Sequence, residues 1–439
     1  MAAYLLFEVM VMLLSRLNDV VWSPWLLGLF LAAGLYYSLR TGFFQIFRIP
    51  LWLRTTFGAM LRRRGRGNGR GISQFQALAT ALASTIGTGS IAGVATAIWF
   101  GGPGAVFWMW VSALLGMMTG CAEKLLSVRY RRAGPAGWLG GPMYYILDGL
   151  KSPLLAGWFA LACLPATLTG GDMVQSSSIA AALQATFGWD RLAVGAAVAV
   201  LTGLVMVGGI GRIARVSSGL VPAMALLYLG GGAAVLAARA DQIPEAMALI
   251  FCSALRPEAA VGGGMGYTLA AALRYGVARG VFTNEAGLGT SAMAHAAAEV
   301  DCPARQGMWG IVEVCVSTLL VCTATALVIL VSGVYGPADA LVRGALGAVP
   351  PDRLGAPLTA AAFSSVLGPW GGAVVSLSLL LFAFSSILGW SWYGEQSILY
   401  LTGSRRLVPA YRLVFLSCVV LGSVWEGEAV WELVDLCNA

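Results

Sequence analysis

About ten apolar runs, most near the roughly 20 residues a helix needs to cross a hydrocarbon core, follow one another along this 439-residue chain. They fall at about 25–39, 74–99, 105–128, 154–187, 193–208, 217–237, 268–298, 308–333, 368–401 and 407–425. Lipid offers no water to satisfy backbone N–H and C=O groups, so a chain that spans it must be helical or a closed barrel. Runs this long, without strict alternation, predict helices. The charge content agrees: 11% of the residues are charged, against about 25% in a soluble domain. That is too little to cover a soluble body, so the surface must face lipid. The 57 glycines let helix backbones approach closely in lipid.

The formal net charge is +7, but its distribution excludes a nucleic-acid interface. The arginines come in short bursts between the apolar runs: Arg40, Arg48, Arg54 and Arg62–Arg66, then Arg129, Arg131 and Arg132, Arg212 and Arg215, Arg305, and Arg405, Arg406 and Arg412. Alternating the loops puts every strongly basic segment on one side, the expected cytoplasmic side. The opposite loops mix signs: Asp190 with Arg191, Arg239 with Asp241 and Glu245, Arg256 with Glu258, Asp339 with Arg343, and Asp352 with Arg353. Segments 241–264 and 334–368 read as outer loops carrying short surface helices. The N-terminus lacks a basic n-region and a small-residue cleavage site, so no cleaved leader is expected. A single histidine, His295, and eight cysteines without a C-x-x-C pair leave no pattern for a metal centre or a disulfide framework. No G-x-x-x-x-G-K-[ST] occurs, so no ATP site is expected.

Two runs carry glycine clusters at mid-span: Ile86-Gly87-Thr88-Gly89-Ser90-Ile91-Ala92-Gly93 and Gly280-Val281-Phe282-Thr283-Asn284-Glu285-Ala286-Gly287-Leu288-Gly289-Thr290. Each interior glycine costs a helix about 1 kcal/mol relative to Ala. One such cluster alone reads as close helix packing. Two, in the second and the seventh run, predict a pair of broken helices in a five-plus-five inverted repeat, because unwound backbone at membrane depth persists only where it lines a cavity. Freed N–H groups there suit a carboxylate and freed carbonyls suit Na+.

The motifs ALATALASTIGTGSIAGVATAI at 77–98, GGPGAVFWMWV at 101–111, GGPMYY at 140–145, RGVFTNEAGLGTSA at 279–292 and FAFSSILGWSWYGE at 382–395 resemble the alanine or glycine:cation symporter family over nearly the whole chain. The resemblance implies a LeuT-type fold: a single transporter domain over 1–439, with an extra N-terminal helix and basic loop in 1–72, a first repeat in 73–238 and a second in 265–439. It implies a secondary transporter, not an enzyme, that imports alanine or glycine with Na+ through the bacterial inner membrane, as a monomer, with no other cofactor. Gly87, Thr88 and Gly89 would hold the substrate by main-chain groups. Phe282, Thr283 and Asn284 would face them, with Phe282 as an apolar lid, and Trp390 would limit substrate size. Gln175, a glutamine the family's matching helix also has, would contact the ligand. Ser385 and Ser386, with the carbonyls of Ala83 and Ile86, would hold Na+.

Read from the residues alone, each has a plainer alternative. Phe282 could be a packed core aromatic, and Gln175 could be helix–helix glue. The serine pair could bond back to its own helix, and Trp390 could belong to an interfacial belt. Among the intramembrane carboxylates, Glu123 beside Lys124 reads as an interface pair. Asp172, Glu285 and Glu313 sit deeper and leave proton coupling open as an alternative to Na+. A transport-inactive amino-acid sensor is a second alternative. The chain departs from the family at Ser90, Asp172 and Ser177, where Asn is usual, and at Ser317-Thr318, where Asp-Thr is common. It ends at Asp435-Leu436-Cys437-Asn438-Ala439, so the family's final helix is expected to be missing.

Overall fold

The computed structural model describes residues 22–58, 71–134, 137–255, 269–335, 355–425, 434, 436 and 437. The expected basic cluster Arg62–Arg66, the loop charges Arg256, Glu258, Asp339, Arg343, Asp352 and Arg353, and most of the terminal stretch 435–439 lie outside them.

Helices α1 (Pro24–Arg40), α2 (Phe44–Phe47), α3 (Ile49–Thr55), α4 (Gln74–Thr85), α5 (Ala92–Gly101) and α6 (Gly104–Arg129) come first. A hairpin of β1 (Arg132–Gly134) and β2 (Gly137–Leu139) follows, then α7 (Pro142–Gly149) and α8 (Pro153–Phe187). The chain continues through α9 (Arg191–Met206), α10 (Gly209–Ala238), α11 (Ile243–Leu255), α12 (Leu269–Asn284), α13 (Ala292–Ala296) and α14 (Pro303–Val331), and closes with α15 (Ala356–Leu367), α16 (Pro369–Thr402) and α17 (Val408–Val424). Among the described residues, six helical segments are at least 18 residues long and apolar enough to cross a membrane, and four shorter ones are also apolar. The protein is a multi-pass membrane protein, and its helices follow the apolar runs read from the sequence.

Local chemistry sets the ends. A capping box opens α4: Ser73 Oγ accepts from Gln76 N at 3.1 Å, and Gln76 Oε1 accepts from Ser73 N at 3.0 Å, satisfying two donors a helix start leaves free. Asp190 caps α9 through Ala193 N at 2.9 Å. Two long helices contain π-helical segments, Thr169–Met173 in α8 and Cys315–Cys322 in α14. In α8 the widening follows Pro165, which cannot supply the N–H its turn requires.

Two expectations change. The described parts of the segments 241–264 and 334–368, residues 241–255, 334–335 and 355–368, are not simply surface pieces. Ala246, Ile250 and Ala254 of α11, and Ala362 and Phe363 of α15, are buried. Glu123 and Lys124 are not an exposed interface pair, since both are buried between α6 and α14. Those two helices pack closely because a Cβ at Gly310 would lie 2.6 Å from the Gly120 carbonyl oxygen, the small-residue contact that packing in lipid uses.

Candidate functional site

Both glycine clusters are breaks. α4 ends at Ile86, Gly87 is extended, a single 3-10 turn covers Thr88–Ser90, and α5 starts at Ala92. The glycines are required by close approach rather than by φ. A Cβ on Gly87 would lie 2.6 Å from Ser386 Oγ and 2.9 Å from Gln175 Oε1, and one on Gly89 would lie 2.8 Å from Phe282 Cδ1. The second break runs from Glu285 to Ser291, between α12 and α13. Here φ decides: Glu285 (+52°), Gly287 (+104°) and Gly289 (+74°) are left-handed, a region open to glycine and strained for glutamate.

The breaks face each other across a small pocket lined by Ser84, Thr85, Gly87, Gly89, Gly170, Gln175, Phe282, Glu285, Leu288 and Trp390. The π-segment of α8 supplies one wall. Gln175 Nε2 donates to Gly170 O at 3.1 Å, and its Oε1 accepts from Thr88 N at 3.2 Å, so the amide ties α8 to the unwound backbone. A Cβ on Gly171 would fall 2.4 Å from Trp390 Cβ, which lets the indole reach the pocket. The Trp390 ring stacks edge-on against Tyr393, with centroids 5.6 Å apart.

Of the residues singled out in the sequence, Gly87, Gly89, Gln175, Phe282 and Trp390 line this pocket, and Thr88 lends its N–H to Gln175. Thr283 and Asn284 are not in the lining. Thr283 Oγ1 donates to Gly280 O at 2.9 Å and lies 3.4 Å from Thr318 Oγ1. Asn284 Oδ1 accepts from Ala286 N at 2.9 Å, bracing the turn. Glu285, one residue further, takes the lining position.

Behind the first break, α16 brings two hydroxyls to α4. Ser385 Oγ and Ser386 Oγ donate to Ala83 O at 3.1 and 3.0 Å. Ser386 also reaches Ser84 O at 3.1 Å, and Ser385 bonds back to Phe382 O at 2.8 Å. Of the two carbonyls expected beside the serines, that of Ala83 meets both hydroxyls, while the second one met by Ser386 is that of Ser84 and not that of Ile86. The set contains only oxygens, the donor type a hard cation such as Na+ takes.

A charged cluster that sequence reading did not assemble lies behind the second break. Lys124 Nζ is 3.6 Å from Glu123 Oε2 and 3.4 Å from Glu313 Oε2, and His295 Nε2 is 3.1 Å from the same Glu313 oxygen. Gln306 Nε2 lies 2.7 Å from His295 Nδ1. Glu123 Oε1 accepts from Gly287 N at 2.9 Å, so the cluster grips the break itself. Charged residues inside apolar runs were the available signal, but they sit on three different elements.

On the side of the basic loops, the outer ends of the two broken helices are clasped. Ile72 N donates to Ala297 O at 3.0 Å, and Glu299 N donates to Ile72 O at 2.8 Å. Arg131 reaches the carbonyls of Ala296, Ala298 and Val300 while lying 4.1 Å from the centre of the Trp138 ring.

The sequence profile of the sodium:alanine symporter family matches residues 7–439. The chain belongs to the sodium:alanine symporter family. Among relatives, an uncharacterized transporter of Haemophilus influenzae is 42% identical over 97% of this chain and 90% of its own length. The sodium/alanine symporter AgcS of Methanococcus maripaludis is 40% identical over 98% of this chain and 91% of its own. In fold, this family member is similar to a manganese transporter of Eremococcus coleocola, with a TM-score of 0.54 at 16% identity, covering 83% of this chain and 74% of that one. As a member of this family the protein is a membrane transporter, not an enzyme.

Proposed function

We propose that this protein imports a small neutral amino acid, alanine or glycine, together with Na+ across the bacterial cytoplasmic membrane by alternating access. The observation that carries the reading is the convergence of Gly87, Gly89, Gln175, Phe282 and Trp390 on one small pocket, directly in front of the Ser385–Ser386–Ala83 oxygens. The name of the 40%-identical relative, sodium/alanine symporter, points the same way. Thr88 holds Gln175 through its N–H, Thr283 and Asn284 brace the wall behind the pocket, and the Ser84 carbonyl joins that of Ala83 beside the serines in the proposed ion site. Two breaks at matching places in 73–238 and 265–439 support a LeuT-type five-plus-five repeat in a single domain, with α1 as the extra helix.

The oxygens of Ser385 and Ser386, now hydrogen-bonded to α4, would turn their lone pairs to Na+ while Ala83 O coordinates it. That ties α16 to α4 and orders the Gly87–Gly89 backbone for the substrate. Release to the cytoplasm requires the clasp among Ile72, Ala297 and Glu299 to open, so occupancy biases a rocking equilibrium between two accessible states. A proton-coupled form of the same transporter is the second reading, favoured by the buried Asp172, whose two carboxylate oxygens lack a hydrogen-bond partner among the described residues. Uptake of labelled alanine into proteoliposomes under a Na+ gradient, a proton gradient, or neither separates the two. Accumulation only with Na+ is expected. Accumulation only with a proton gradient overturns the Na+ site, and none under any gradient overturns the transport reading.

A further inference from the structure

The pocket contains one carboxylate, and that carboxylate is short of a cation. Glu285 lines the pocket and is 2% exposed. Its Oε2 accepts from Thr290 Oγ1 at 2.5 Å. Among the described residues, no Lys, Arg or His nitrogen lies within 4 Å of it. The nearby ammonium is already committed: Lys124 Nζ sits between Glu123 and Glu313 at 3.6 and 3.4 Å. The region therefore buries three carboxylates around one lysine, with a histidine turned to Glu313. A buried carboxylate that shares one longer-range ammonium with two closer carboxylates is incompletely compensated, and in a membrane interior it marks a functional site by default. The left-handed backbone of Glu285 adds strain that persists only when surrounding structure enforces it. Here it holds the third acidic residue in the pocket lining, beyond ion-pair distance of Lys124.

The opposite wall is complementary. It offers the unwound backbone of Gly87–Gly89 and the Gln175 amide, where Thr88 N already meets an acceptor. An α-amino acid is a dipole with an ammonium and a carboxylate on one carbon. Its carboxylate can take the Thr88 N–H over from Gln175 Oε1, and its ammonium supplies the positive charge and the donors that Glu285 lacks.

Resting on the amino-acid reading above, we propose that Glu285 is the pocket residue that receives the substrate's ammonium group, and that the Lys124–Glu123–Glu313 cluster keeps it free for that role by satisfying Lys124 elsewhere. Selection of α-amino acids over the corresponding hydroxy acids then resides in this one carboxylate.

The test uses the purified full-length chain in nanodiscs at saturating Na+. Labelled alanine and other neutral amino acids are offered to wild type, and the tightest binder is carried forward. Glu285→Gln keeps the shape and removes the charge. Its affinity for that amino acid should fall by roughly 10- to 100-fold, the range of one charged hydrogen bond. The Na+ dependence of tryptophan fluorescence without amino acid should stay unchanged. In wild type, ethylammonium should compete with the amino acid, and in Glu285→Gln it should not. Unchanged amino-acid affinity in Glu285→Gln overturns the proposal. So does a matching loss of Na+ affinity, which would place the coupling ion there. If the variant does not yield monodisperse protein, wild-type competition decides: displacement by propionate but not by ethylammonium overturns it. A wild type that binds no amino acid overturns the amino-acid reading itself, an outcome distinct from the others.

Discussion

The two breaks solve the same problem with opposite chemistry. At the first, the described side-chain hydrogen bonds are neutral: the Gln175 amide on Thr88 N, Thr325 Oγ1 on Ser90 O and, in the last turn of α4, Ser385 and Ser386 on the carbonyls of Ala83 and Ser84. At the second, a carboxylate holds the backbone, with Glu123 on Gly287 N, and an ion cluster stands behind it. Neutral contacts can be exchanged at little cost, as when serine hydroxyls swap a carbonyl for a cation. A buried ion cluster resists rearrangement, because breaking any pair leaves a charge uncompensated. The first break therefore suits the part that changes partners with each cycle, and the second suits a fixed wall.

The largest effect should come from attacking that fixed wall. Lys124→Met leaves Glu123 and Glu313 buried without their common partner, a loss of about 3–5 kcal/mol for a broken buried pair. Melting in detergent, followed by size-exclusion fluorescence, should show a strongly destabilised protein, and adding Glu313→Gln should recover part of the loss. A Lys124→Met protein as stable as wild type would end the contrast between the two breaks.

The next effect probes the first break. Gly87→Ala adds a Cβ 2.6 Å from Ser386 Oγ and 2.9 Å from Gln175 Oε1. Overpacking of this kind costs about 1–3 kcal/mol, and here both affected side chains belong to the proposed substrate and ion sites. Alanine uptake should drop about tenfold or more while melting shifts little, since the neutral contacts can give way. A large stability loss with intact uptake would show the first break to be the more rigid of the two.

A smaller effect is expected at the ion site. Ser386→Ala removes hydroxyl contacts to Ala83 O and Ser84 O at 3.0 and 3.1 Å, each worth about 0.5–1.5 kcal/mol. The Na+ concentration for half-maximal uptake should rise by up to about tenfold, with less effect on the amino-acid affinity measured at saturating Na+. Unchanged Na+ dependence would remove Ser386 from the site.

The uneven legibility of the sequence follows the same division. The first break could be read from Gly87 and Gly89 because its signal is local, small residues in an apolar run, although the close approach that requires them comes from Ser386, Gln175 and Phe282 on other helices. The second was legible as a break but not as a site. Whether Thr283, Asn284 or Glu285 points into the pocket depends on the left-handed turn at Glu285, a conformation that residue type argues against. The burial of Lys124 depends on Glu313 and His295, which lie far along the chain on other helices. Similarly, that Ser386 meets the carbonyl of Ser84 and not that of Ile86 reflects where α16 crosses α4, a tertiary fact that no spacing within either segment encodes.

The smallest effect asks whether the first break is set by its own contacts or by tension from its outer end. Ser73→Ala removes the capping box at the start of α4, a loss of about 1 kcal/mol. The cap adjoins Ile72, whose N–H and C=O join the two broken helices at their outer ends. If Gly87 and Gly89 are unwound because their neighbours require it, loosening the cap should lower the melting temperature slightly and leave Na+ and amino-acid affinities unchanged. An altered affinity would mean that strain travels through α4 from the clasp to the pocket. The neutral break would then be tuned from a distance, as the charged one is by Glu123.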